Sequence, residues 1–362
     1  MPSPDAAGEA ERIVKICAAC MYCDGLCPVF PALTGRNDDI AQLANLCHNC
    51  RACWYACQYA PPHPLAVNAP ATFSRARMET YADHVWPRAL RHVFVRPALG
   101  AGLMLAATLL TFALLTAMAG APRSGPGAFY ALIPWGAMAT LATAALAWAT
   151  LSLTVSTRRY WRTISAGLSP SPLKPALRRA LSDIITLRHL DGGGPGCHDS
   201  GLPFSRRRKI FHHLMAGSMV LAVAATLAAA VFEHFLGAKP PFPLTSLPVL
   251  LGLAGGVGIV VGAAGLLAVE ARMDRDPSDP GETRLNVSFL IALELVTLSG
   301  LALLVFRETP AMSPLLLAHL SLVIGFFVGL PASKAIHAPF RAAALLRAAL
   351  ERDVFPRKRI TL

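Results

Sequence analysis

Residues 246–267 read SLPVLLGLAGGVGIVVGAAGLL and contain no charged side chain. A helix that crosses the hydrocarbon core of a bilayer needs about 20 mostly apolar residues, and it tolerates glycine. Five further stretches have the same character. The six predicted spans cover about residues 98–120, 128–156, 212–235, 245–269, 286–306 and 314–333. We therefore predict an all-α integral membrane protein with a six-helix transmembrane bundle.

The composition of the 362 residues agrees with a membrane location. Hydrophobic residues make up 54% and charged residues 15%, and the mean hydropathy is +0.48. Soluble domains contain about 25% charged residues, so an ordinary soluble enzyme is disfavoured and a disordered chain is excluded. The net charge is +12, and most of the Lys and Arg residues lie beside long apolar runs. This placement predicts contact with membrane lipid and no nucleic-acid partner.

The basic residues lie mainly in the second loop, at about 157–211, and in the C-terminal tail. The only basic residues of the first, third and fifth loops are Arg123, Lys239 and Arg307. Cytoplasmic loops of membrane proteins carry an excess of Lys and Arg. We therefore predict a protein of the bacterial inner membrane with both termini in the cytoplasm. Its predicted parts are a cysteine-rich domain (1–70), a connector (71–97), the bundle (98–340) and a basic tail (341–362).

Two cysteine runs, CAACMYCDGLCP at 17–28 and CHNCRACWYAC at 47–57, contain eight of the nine cysteines. Bacterial two-cluster ferredoxins have this C-x2-C-x2-C-x3-C spacing, with the fourth cysteine of each run bound to the other cluster. We predict a ferredoxin-like domain with two [4Fe–4S] clusters. The first cluster would be held by Cys17, Cys20, Cys23 and Cys57, and the second by Cys47, Cys50, Cys53 and Cys27. Structural zinc is the alternative, although zinc sites usually pair two C-x2-C knuckles across a longer gap.

Five histidines lie at the ends of predicted spans, where an ionisable side chain is a functional candidate. His212 and His213 open the third span and His234 closes it, whereas His319 begins the sixth span and His337 follows it. Since these spans run antiparallel, His213 or His212 is level with His337. His234 is level with His319 at the other end of the bundle. The two levels are about 27–32 Å apart along the helices. Facing imidazoles are the axial ligands of haem b, so we predict one or two haems; interfacial histidines without a ligand role are the alternative.

Glu294 lies near the middle of the fifth predicted span. A charged carboxylate at that depth costs about 2.5 kcal/mol or more on insertion scales, so it needs a protonated form or a polar neighbour. We consider two interpretations, a proton relay or quinone contact and a hydrogen-bonded structural role.

The ninth cysteine, Cys197, lies in the glycine-rich segment DGGGPGCHDSG at 191–201. No strand precedes this segment, so it is not a dinucleotide-binding motif. The sequence favours a flexible loop with an inert thiol, and the alternative is a loop that covers a cofactor or the mouth of a quinone site.

Several segments together resemble the tricarballylate-utilisation protein B, or citrate-utilisation protein B, family. They are CHNCRACWYACQYAPPHPLAVNAP at 47–70, HLDGGGPGC at 189–197, RRRKIFHHL at 206–214, the glycine-rich span at 246–267 and HLSLVIGFFVGLPASKAIHAPFRAAALLR at 319–347. The resemblance covers essentially the whole chain. The cysteines match the family pattern, and His213, His319 and His337 lie in matching segments.

The resemblance implies a membrane protein with two iron–sulfur clusters and b-type haem. Such a protein reoxidises the flavin of a partner FAD-dependent dehydrogenase, protein A of the same system, which oxidises tricarballylate to cis-aconitate. The electrons then pass to the quinone pool. An alternative is a quinone-linked subunit of another redox complex, of the nitrate-reductase-gamma or heterodisulfide-reductase type. A transporter or scaffold with a zinc-stabilised domain is a third hypothesis, although no inverted repeat is evident.

Overall fold

The computed structural model describes residues 6–26, 29–35, 39–122, 124–125, 127–168, 172–192 and 194–354, and these are predominantly helical. The helices are α1 (Ala6–Cys20), α2 (Phe30–Gly35), α3 (Ile40–Leu46), α4 (Ala52–Tyr55), α5 (Ala69–His84), α6 (Arg91–Val95), α7 (Ala98–Met118), α8 (Ala128–Leu132), α9 (Trp135–Ile164), α10 (Leu173–Ile185), α11 (Arg207–Leu236), α12 (Leu247–Arg272), α13 (Pro280–Phe306), α14 (Met312–Gly329) and α15 (His337–Val354). Two short antiparallel strands, β1 (Cys197–His198) and β2 (Phe204–Ser205), form a small ribbon between α10 and α11.

Six of these helices, α7, α9, α11, α12, α13 and α14, are long and apolar enough to cross a membrane. The predicted class, an all-α membrane protein with six spans, is therefore confirmed. The second span begins at Trp135 and not near residue 128, because Pro134 caps α9 and separates it from the short helix α8. The fifth span begins at Pro280, since the Asp279 carboxylate caps α13 by accepting a hydrogen bond from the Glu282 backbone N–H at 2.9 Å.

Glycines on one face of α12 allow it to approach α11 closely. A Cβ at Gly262 would lie 2.6 Å from the Met215 backbone nitrogen, and a Cβ at Gly265 would lie 2.2 Å from the Phe211 ring. Small residues at helix interfaces permit such contact in membranes, where burial of apolar surface gives no advantage over lipid. The helices α11 and α12 therefore form a tight hairpin.

The remaining contacts between spans extend from this hairpin. Helix α12 also packs on α13, α13 on α14, and α14 on both α7 and α9. Gly325 and Gly329 of α14 lie against Thr108 and Met104 of α7 in a second close approach. The sixth span thus lies against the first and second spans as well as against the fifth.

The N-terminal domain packs against one end of the bundle, which we call the cysteine end; the opposite end is the far end. Its core joins α1, α3 and α5 through side chains such as Ile13, Leu43 and Phe73. The helix α5 lies within the segment predicted as a connector. It continues the domain toward α13, where Arg77 and Glu282 form an ion pair.

The predicted basic tail over 341–362 is wrong for its first part. Residues up to Val354 belong to α15, which packs against α3, α9 and α10. Arg347 is buried there and pairs with Asp39 and with Glu351. A buried charge requires such partners, so α15 is part of the folded core at the cysteine end. Residues 355–362 lie outside the described part of the chain.

Candidate functional site

The first set of predicted cluster ligands comes together. Cys17, Cys20, Cys23 and Cys57 line one small cavity, because α1 ends at Cys20 and α4 leads into Cys57. Burial, followed by the nearby thiols, raises the pKa of Cys17 to about 12 and that of Cys23 to about 11. Among the described residues, no group of three His, Cys, Asp or Glu side chains converges on a single metal ion. The four sulfurs surround a space and do not meet at one point.

The second cysteine run lies deeper in the protein. Cys50 is buried, and burial raises its pKa to about 12. Cys47 and Cys53 are partly buried, whereas Cys27 lies outside the described residues. Leu26, which precedes Cys27, packs against Cys50. The chain at the end of the first run therefore passes beside the second run.

The glycine-rich segment covers this second run. Cys197 is buried beside Cys50 and its Sγ donates to the Leu190 carbonyl at 3.2 Å, while the His198 backbone N–H donates to the Cys50 carbonyl at 2.9 Å. Gly192 has φ +52°, and a Cβ there would lie 2.2 Å from the Gly196 carbonyl oxygen. The segment is therefore packed over the second cysteine run, and the burial of Cys197 agrees with an inert thiol. The flexibility of the loop, and the alternative of a loop that covers a cofactor or the mouth of a quinone site, stay predictions.

Three guanidinium groups hold the backbone of the second run. Arg77 and Arg341 both donate to the Cys47 carbonyl, the latter at 2.6 Å, and Arg208 donates to the Asn49 carbonyl at 2.8 Å. These arginines belong to α5, α15 and α11. They attach the cysteine run to the cysteine end of the bundle.

A cavity of about 140 Å³, partly open to the surface, lies directly beneath the second run. Its wall combines cationic, acidic, histidine and apolar side chains from the cysteine run and from α5, α11, α12, α13 and α15. They include His48, Arg208, His212, Glu282, His337 and Arg341.

His212 and His337 face each other across this cavity. Their ring centroids are 6.3 Å apart and the rings are nearly perpendicular, at 88°. Two imidazoles that bind one metal ion from opposite sides, with nitrogen–metal distances of about 2.0 Å, have centroids about 6 Å apart. The Nδ1 of His337 lies 2.5 Å from the Lys334 carbonyl and donates to it, which leaves Nε2 as a lone-pair donor. Burial and the Lys334 charge lower the pKa of His337, so the ring is neutral.

A buried ion network adjoins the histidine pair. The Glu282 carboxylate accepts from Arg77 Nη1 at 2.5 Å and from Lys334 Nζ at 2.5 Å. Lys334 is also the residue whose carbonyl orients His337. The network therefore connects the position of one histidine to the N-terminus of α13 and to α5.

The other predicted histidines are not brought together. The Nε2 of His213 lies 3.0 Å from the Ile185 carbonyl on the outside of α11. His212, and not His213, therefore faces His337. His234 is exposed against Trp135, with ring centroids 5.8 Å apart. His319 instead has its Nδ1 3.0 Å from the Ser299 hydroxyl.

Glu294 does not line the cavity. Both of its carboxyl oxygens are buried, and the carboxyl group lies beside the backbone of Ala264 on α12. Both interpretations of Glu294, a proton relay or quinone contact and a hydrogen-bonded structural role, stay predictions.

The cationic wall of the cavity was not predicted from the sequence. It includes Arg208, and the neighbouring Lys209 pairs with Asp191 at 2.5 Å. The missed signal is helical spacing. Arg208 precedes His212 by four residues and Arg341 follows His337 by four, and residues so spaced share a helix face.

The fold and the site define a six-span α-helical membrane protein with a cysteine-rich domain and a histidine-lined cavity at one end. Residues 86–357 match the family model described as Citrate utilization protein B, and residues 10–83 match the Citrate utilization protein B Fer4-like domain. Citrate utilization protein B of Escherichia coli is 38% identical over 352 residues, which are 95% of this chain and 92% of that protein. No solved structure matches. The chain belongs to the citrate utilization protein B family, which confirms the resemblance.

Proposed function

We propose that the protein passes electrons from a reduced flavin to the quinone pool through two [4Fe–4S] clusters and one b-type haem. The observation that carries this proposal is the His212–His337 pair, which lines a cavity directly beneath the second cysteine run. The donor would be an FAD-dependent dehydrogenase of tricarballylate or a related tricarboxylate, similar to tricarballylate-utilisation protein A. The family membership and its Fer4-like domain support this donor class.

The donor sets fit these groups. The first four cysteines line one small cavity, and their spacing in the sequence is that of the ligands of a polynuclear cluster. Bound clusters and haem would supply one-electron carriers. Cys47, Cys50 and Cys53, with Cys27, would hold the second cluster, and the neutral imidazoles of His212 and His337 would hold the haem iron.

Electrons would enter at the first cysteine run. Tyr22 and Met21, beside Cys20 and Cys23, are 69% and 47% exposed. The second run is covered by the glycine-rich segment and by the bundle. A flavoprotein would therefore dock against the first run, and the second run would pass electrons into the cavity.

The acceptor would be a quinone from the surrounding bilayer. Glu294 in α13 is our candidate for a proton relay or quinone contact, because a carboxyl group buried within a membrane span is costly unless it binds or exchanges a proton. The bias of basic residues toward the cysteine end supports a bacterial inner-membrane location with both termini in the cytoplasm.

The test is anaerobic purification in mild detergent, followed by iron and haem determination and by visible spectra before and after dithionite. We expect about eight non-haem irons and a reduced b-type haem band. Reduction of the haem by a substrate-reduced flavoprotein of the protein A type would support the donor. Zinc with a featureless spectrum would sink the proposal, and reduction only by a molybdenum or thiol enzyme would favour another redox complex.

Two matched cysteine variants make the iron count specific. Cys20→Ser removes one predicted ligand of the first cluster, so we expect about four irons with the haem band retained. Cys197→Ser changes a buried cysteine outside the predicted ligand set, and we expect it to keep about eight irons. Equal iron loss in both variants would contradict the ligand assignment.

A further inference from the structure

We propose that Arg208, Arg341 and His48 bind the two carboxylate groups of a porphyrin, at the side of the cavity that faces the second cysteine run. This inference rests on the proposed function, because the porphyrin is the haem placed between His212 and His337. It adds a second part to the site. The histidines would bind the iron, and the three further side chains would bind and orient the acidic edge of the macrocycle.

The charge of the cavity wall suits a dianion. Among the described residues it contains five cationic and three acidic side chains, an excess of two positive charges. The cations are Arg51, Arg77, Arg208, Lys334 and Arg341, and the acids are Glu270, Asp279 and Glu282. The two carboxylates of a haem b would balance this excess, since buried charges need opposite charges nearby.

Three of these cations, Arg51, Arg208 and Arg341, have no carboxylate at ion-pair distance within the described chain, whereas Arg77 and Lys334 share Glu282. Arg51 donates to the Asp274 carbonyl and to the Ser278 hydroxyl. Arg208 donates to the Asn49 carbonyl and lies beside the Cys197 thiol, and Arg341 donates to the Cys47 carbonyl. A guanidinium has five N–H donors, so both side chains retain donors for a ligand in the cavity that they line.

His48 is an independent sign of a missing hydrogen-bond acceptor. Its side chain is 3% exposed and lines the cavity, and neither ring nitrogen has a partner among the described residues. An imidazole carries at least one N–H donor in each of its tautomers. A carboxylate in the cavity would accept this N–H.

The spacing of the residues links this anion site to the histidine pair. Arg208 and His212 are four residues apart on α11, and His337 and Arg341 are four apart on α15, so each histidine has an arginine about one turn away on the same face. Both arginines also hold carbonyls of the second cysteine run. The carboxylate edge of the porphyrin would therefore be connected, through two guanidiniums, to the backbone that carries Cys47 and Cys50.

The experiment measures how fast haem leaves the full-length protein in detergent for excess apomyoglobin. Arg208→Gln and Arg341→Gln should each accelerate this transfer about tenfold to 100-fold, the range expected for loss of one hydrogen bond to a charged group. Arg341→Lys should stay closer to wild type, since it keeps the charge. Arg207→Gln removes an exposed arginine next to Arg208 and should transfer haem at the wild-type rate.

A second measurement does not depend on the variants folding well. Wild-type protein stripped of haem is reconstituted with haem or with its dimethyl ester, which has the same iron and no carboxylates. We expect weaker binding of the ester by wild type and a smaller difference in Arg341→Gln. Equal retention of both by wild type, or equal transfer rates in Arg341→Gln and Arg207→Gln, would overturn the inference. Purified protein without any haem would instead refute the proposed function.

Discussion

The two ends of the membrane bundle differ in the partners that their buried charged and polar side chains have. At the cysteine end, buried charges are paired in the Arg77–Glu282–Lys334 network, and His212 and His337 share a cavity. At the far end the polar groups are satisfied by neutral or single partners. Tyr130 donates to Glu233 at 2.6 Å, and His319 and Ser299 are hydrogen-bonded. The cysteine end thus combines a buried ion network with a cavity, whereas these polar groups of the far end make single hydrogen bonds.

The largest expected effect is on haem content. His337→Ala removes one of the two facing imidazoles at the cysteine end, so we expect complete loss of bound haem, and the same for His212→Ala. His319→Ala and His234→Ala, at the far end, should retain one haem per chain. The measurement is the haem-to-protein ratio of purified protein. A haem content halved by His319→Ala would show a second haem and would remove the proposed contrast between the ends.

The next effect is on stability. Glu282→Gln leaves Arg77 and Lys334 without their shared carboxylate, and breaking a buried pair in this way costs about 3–5 kcal/mol. We expect a lower free energy of unfolding in detergent. Circular dichroism measures the unfolding. The far-end control, Glu233→Gln, keeps a group that can accept from Tyr130 and should cost much less. Equal losses in the two variants would contradict the contrast.

Helix α12 allows the comparison to be made on one element. At Gly262, near the cysteine end, an alanine Cβ would meet the Met215 backbone at 2.6 Å, so Gly262→Ala should cost about 1–3 kcal/mol through overpacking. At Gly252, near the far end, the nearest atom is Ala225 Cβ at 3.8 Å, which is ordinary contact. Gly252→Ala should therefore be neutral or slightly stabilising. The measurement is the unfolding midpoint of each variant. A lower midpoint for Gly252→Ala than for Gly262→Ala would show that the hairpin is not held by close approach at Gly262.

The smallest effect concerns the far end itself. Tyr130→Phe removes the hydrogen bond to Glu233 and should lower the free energy of unfolding by about 0.5–1.5 kcal/mol, without changing haem content. A loss of haem in this variant would connect the far end to the cofactor and would weaken the division of roles between the two ends.

Features with local patterns were predictable from the sequence. Six apolar runs and two cysteine runs are readable one segment at a time, and the helix rise placed His337 at the correct level. The choice between His212 and His213 was not readable, because adjacent residues point about 100° apart on a helix. The glycines of α12 fix that rotation by seating Phe211 and Met215 against α12, with His212 at the cavity.

The cationic wall required the tertiary structure. Arg77, Arg208 and Arg341 come from three helices that are distant in sequence, and each looks like an ordinary basic residue in its own segment. After the sixth span, two 3₁₀ turns, Leu330–Ala332 and Lys334–Ile336, bring His337 opposite His212.

The tight hairpin of α11 and α12 has a consequence for biogenesis. Helix α11 packs mainly on α12, and its opposite side exposes apolar residues such as Val220, Val223 and Leu227. The hairpin is therefore able to enter the bilayer as a unit while later parts of the chain are still being synthesised. His212 travels with this unit, whereas His337 emerges only after the sixth span. The cavity is complete only when synthesis is nearly finished. The proposed haem would therefore be bound between these histidines late in maturation.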